Sequence, residues 1–61
     1  MNYPVALAGA FTALEALNRA KSIGQFVYGD PVYEKMAKLE TDIQNLIQLV
    51  LSEAKNAGVN L

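Results

Sequence analysis

Six carboxylates and five cations carry most of the chemistry this sequence can offer, since it contains neither histidine nor cysteine. The commonest general base, the commonest metal ligand and the thiolate nucleophile are therefore missing. Glu34, Lys38 and Asp42 would share one side of a helix, as would Glu40 and Gln44. Carboxylates and lysines four apart mark a solvated helix flank: Glu34 with Lys38 is the favourable order and Lys38 with Asp42 the weaker, reversed one. Asp30, beside Gly29, is explained by helix capping. There is no glycine-rich phosphate loop, no HExxH and no acidic calcium loop. A carboxylate metal site in a helical bundle needs Glu-x-x-His, which a chain without histidine cannot supply. The expectation is a non-enzymatic protein with no cofactor and no metal site.

A second group could bind rather than catalyse. Phe26, Val27 and Tyr28 are consecutive and bulky, and Tyr33 lies just beyond. One reading makes them a plug over the end of a helix pair. The other makes them an exposed contact for a protein partner, because aromatic anchors dominate many interfaces. Arg19, Lys21, Lys35 and Lys38 lie nearby in the sequence. Cations beside stacking rings could hold a nucleotide or an RNA segment, although a net charge of −1 gives no overall attraction to nucleic acid.

These residues must be positioned by helices. Asp30 and Pro31 read as an N-cap and first helical position, and Gly58 as a stop with Lys55 in the last turn. The predicted helix covers residues 31–57. Val32, Met36, Leu39, Ile43, Leu46 and Val50 recur at heptad spacing along it. Ile47 and Ala54 widen that seam, while Leu49 and Leu51 fall off it. Upstream, Asn2 or Tyr3 as cap with Pro4 behind it predicts a helix over residues 4–23. Tyr3, Leu7, Phe11, Leu14 and Leu17 make a bulky strip on it, with Ala10 between them. Gly9, Ala13, Ala16 and Ala20 make an adjoining strip of small residues that would let another helix approach closely. Residues 24–29 form the connection, with Gly24 expected to end the first helix in a left-handed cap. Residues 1–61 are thus read as one all-α domain, an antiparallel helical hairpin.

The longer second helix is expected to overhang the start of the first, carrying part of the Leu49–Leu51 segment. The chain has 61 residues and is 52% hydrophobic, more apolar surface than two helices can cover. Two hairpins sharing a core would make a four-helix bundle, most simply a homodimer. The expected oligomer interface comprises Leu46, Ile47, Leu49, Val50 and Leu51, with Ala13, Ala16 and Ala20. In length, hairpin order and expected dimerisation the chain resembles the small plasmid-encoded Rop RNA-binding dimers, an architectural resemblance with no shared motif that carries over a functional residue.

The first charged side chain is Glu15, so the N-terminal stretch lacks the basic start of a signal peptide. No stretch is long enough to span a bilayer, and a cytoplasmic location is expected. The composition suits a compact interaction protein of the kind common among phage and mobile-element products. It would bind or block another macromolecule, with a nucleotide- or RNA-binding dimer as the alternative.

Overall fold

The computed structural model describes residues 1–61 as two helices, α1 (Tyr3–Ile23) and α2 (Pro31–Asn56), with no strand. They pack side by side as a hairpin with extents of 45 × 15 × 13 Å. The caps expected from the sequence form. The Val5 amide donates to Asn2 Oδ1 at 3.1 Å, and the Val32 amide donates to Asp30 Oδ1 at 2.8 Å. At the far end of α2, Gly58 has φ +75°. Its amide donates to the Lys55 carbonyl at 3.0 Å, and the Val59 amide to the Ala54 carbonyl at 2.8 Å. This pair of bonds is a Schellman motif, which satisfies carbonyls that a helix end otherwise leaves free.

Gly24 differs from expectation. It closes α1 in the right-handed region, at φ −76° and ψ −4°, and the left-handed residue is Gln25, at φ 52°. The glycine serves close approach instead. A Cβ on Gly24 would lie 2.7 Å from the Ala20 carbonyl oxygen and 2.9 Å from Cζ of Phe26. Only a residue without a side chain lets the Phe26 ring settle there.

The core is small. Ala10, Ile47, Val50 and Ala54 are the only buried residues. Half-buried residues extend two stripes from them, among them Tyr3, Leu7, Leu14, Leu17 and Lys21 on α1, and Met36, Glu40 and Ile43 on α2. Heptad spacing is kept, but the α2 stripe is turned relative to the sequence reading. Ile47 and Ala54 lie at its centre rather than on its margin. Val32, Leu39 and Leu46 stand at its exposed edge. On α1, Phe11 leaves the bulky strip and is half exposed.

The expected overhang is also placed differently. Lys21 pairs with Glu40, and from that level α1 runs back to Tyr3 while α2 runs on to Asn56. At about 1.5 Å per residue the two far ends are level to within about 3 Å. The extra length of α2 lies at the loop end, where residues 24–30 climb back over its first turns. No helix is long and apolar enough to cross a membrane.

Candidate functional site

The connection between the helices brings the aromatic residues together and then divides them. Phe26 is half buried. Its ring meets Tyr33 edge-on, with centroids 5.9 Å apart and planes at 62°, an arrangement aromatic quadrupoles favour. Lys21 Nζ stands 5.1 Å from the centre of the Tyr33 ring and is ion-paired with Glu40. Tyr33 is thus held between an aromatic edge and a cation. The hydrogen bond to Glu40 and its charge hold the Lys21 ammonium above its ordinary value, against a smaller opposing effect of desolvation. Lys21 is therefore a cation at neutral pH and is committed to its own chain.

Val27 and Tyr28 belong to a different environment. Residues 27–30 form a turn closed by the Asp30 amide donating to the Val27 carbonyl at 3.1 Å. Gly29 sits third in the turn at φ +80°, the backbone that a type II turn requires there. The turn lifts Tyr28 clear of the protein, leaving its side chain fully exposed, and Val27 is 73% exposed. Between this apex and the Phe26–Tyr33 pair runs an open depression of about 400 Å³, bordered at one end by Glu34. It offers the three rings of Phe26, Tyr28 and Tyr33, the aliphatic Val27 and the Glu34 carboxylate.

The cations expected near the loop do not make one surface. Arg19 is nine residues from Ala10 and Lys38 nine from Ile47, so each lies about half a turn away from the buried seam of its helix. They point outward from opposite sides of the hairpin. Lys21 is engaged with Glu40, and Lys35 is exposed on α2. The Glu34–Lys38 and Lys38–Asp42 pairs do not form, because Lys21–Glu40 is the only ion pair in the structure. Sequence reasoning missed that pair because its members lie on different helices, and each reads alone as a surface charge.

The residues expected at an interface between chains also divide. Ile47 and Val50 are buried against α1, leaving almost nothing for a second chain to touch. Leu46, Leu49 and Leu51 are exposed. Leu49 and Leu51 stand about 200° apart around α2, so one flat interface cannot take both. Ala13 and Ala16 are exposed and Ala20 is half buried, which places the small strip on the flank of α1 rather than against α2. No family model, curated protein or solved structure matches this chain.

Proposed function

We propose that the chain is a small non-enzymatic interaction protein that works as an oligomeric helical bundle and binds a protein partner through the turn at Val27 and Tyr28. The observation that carries this reading is the contrast within one aromatic cluster. Phe26 and Tyr33 pack on the hairpin, while a turn with its own hydrogen bond and a positive-φ glycine holds Tyr28 out in water. A rigid ring presented with little conformational freedom left to lose is a strong interface anchor. Oligomerisation is supported by the size of the core. Four buried residues are few for 61, and with no cysteine to cross-link them, association is one way to complete a core this small. The non-enzymatic reading rests on the side-chain inventory.

The test is Val27→Ser with Tyr28→Ala, compared with wild type as bait on protein from the source cells. The reading expects the double variant to keep its helicity and melting temperature and to lose a partner retained by wild type. A partner retained equally by both, or a variant that loses helicity, contradicts it.

A further inference from the structure

The apolar surface of α2 is wider than the stripe that faces α1: Val32, Leu39 and Leu46 are exposed beside it. The residues that face α1 run Met36, Glu40, Ile43, Ile47, Val50 and Ala54. The apolar heptad Val32, Met36, Leu39, Ile43, Leu46 and Val50 shares three residues with that stripe and is centred about 40° away around the helix axis. In a square four-helix bundle each helix points between two neighbours, about 45° from each. The offset is therefore the one that a second pair of helices would need, and its direction selects one face of the hairpin. That face presents Leu39 and Leu46 from α2 and Gly9, Ala13, Ala16 and Ala20 from α1. The opposite face carries the Lys21–Glu40 pair and a polar depression bordered by Glu15, Asn18 and Gln44.

We propose that a second copy of this chain docks on the Leu39–Leu46 face about a twofold axis parallel to the helices, so that each α1 lies on its partner's α2 and both loops sit at one end. This rests on the bundle reading above and specifies its geometry. Taking heights from the Lys21–Glu40 pair, Leu46 is level with the gap between Ala13 and Ala16, and Leu39 with the gap just beyond Ala20. A twofold parallel to the helices keeps those heights, so the partner's leucines come down over the small residues, as knobs enter holes. Gly9 fits the same picture. It lies mid-helix, where glycine is unfavourable, and apart from the adjoining backbone of its own helix nothing stands within 4 Å of where its Cβ would be. On the rim, Arg19 and Asp42 lie at one height, so each Arg19 comes within reach of the partner's Asp42. The other twofold would stack α1 on α1, whose single acidic residue, Glu15, lies towards the opposite face. A face of 45 × 15 Å buries about 1,400 Å² over both chains, within the roughly 1,200–2,000 Å² of stable interfaces.

The absence of cysteine makes the test direct. Tyr28→Cys, at a fully exposed position, would carry a spin label, with dipolar distances measured on the protein whose mass has been determined in the same buffer. The proposal expects a dimer with labels within about 30 Å, a few helix diameters. A dimer with labels separated by the 45 Å length of the hairpin would overturn the arrangement and leave the bundle standing. A monomer would overturn both, leaving the face to a different protein. Arg19→Asp and Asp42→Arg should each weaken the dimer about two- to fivefold, and the two together should restore it. Failure of the pair to restore it would count against the same-end arrangement.

Discussion

Replacing Gly24 by alanine sets backbone preference against packing. The residue has φ −76° and ψ −4°, a conformation any residue adopts, so on backbone grounds alanine should stabilise by about 0.4–1 kcal/mol. Its Cβ would collide with the Phe26 ring and lie 2.7 Å from the Ala20 carbonyl oxygen. The ring must move, losing its edge-on pairing with Tyr33, worth about 0.5–1.5 kcal/mol. It also gives up burial worth roughly 1–1.5 kcal/mol for a half-covered phenylalanine. The carbonyl contact adds strain of about 1 kcal/mol. The net expectation is a loss of about 2–3 kcal/mol, which at about 4–8 °C per kcal/mol lowers Tm by roughly 10–20 °C. The assay is thermal melting by far-UV circular dichroism at one fixed protein concentration, because association itself shifts Tm. Phe26→Ala supplies the control: in that background Gly24→Ala should cost less than about 1 kcal/mol, since the ring is already gone. A Gly24→Ala protein as stable as wild type, or the same cost in both backgrounds, would refute the seating of Phe26 on Gly24.

Other expectations follow from the same geometry. Ile47→Ala, in the buried seam, should cost about 2–4 kcal/mol in chemical denaturation, and Leu49→Ala, 55% exposed, under about 1 kcal/mol; equal costs would contradict the seam. Gly58→Ala forces a side chain into positive φ and should cost about 1 kcal/mol. Faster amide exchange at Val59 would report the broken Schellman bond, and unchanged exchange would argue against that motif. The Lys21–Glu40 pair gives a pH dependence whose sign is fixed. Because the folded Lys21 ammonium is held above its ordinary value, its contribution is fully present below the unfolded lysine value of about 10.4. It is lost as pH rises through the higher folded value. Lys21→Met should therefore show a smaller drop in Tm across that alkaline range than wild type, and parallel curves would remove the pair from the account.

Much of the fold was legible because helix ends advertise themselves locally. Asn2 with Pro4, Asp30 with Pro31, and Gly58 each state a backbone requirement that neighbours cannot override, and both helices begin and stop within a residue of expectation. The rotation of α2 was not legible, because its true seam contains Glu40. A carboxylate within a stripe reads as surface until Lys21 is seen to reach it from the other helix. The level of the two helices was hidden for the same reason. Gly24 misled because a glycine after a helix most often supplies positive φ, whereas here it makes room for a ring two residues on. The aromatic cluster could be found by composition. Its division into packed Phe26 and Tyr33 and projecting Val27 and Tyr28 depends on the turn at Gly29.

In the proposed bundle one hairpin is half of a folded unit. Native mass spectrometry over a dilution series, with Tm measured on the same samples, decides this. The expected result is a species of twice the 6.6 kDa chain mass, with a Tm that falls as the protein is diluted. A single chain at every concentration, melting cooperatively at an unchanging Tm, would contradict it.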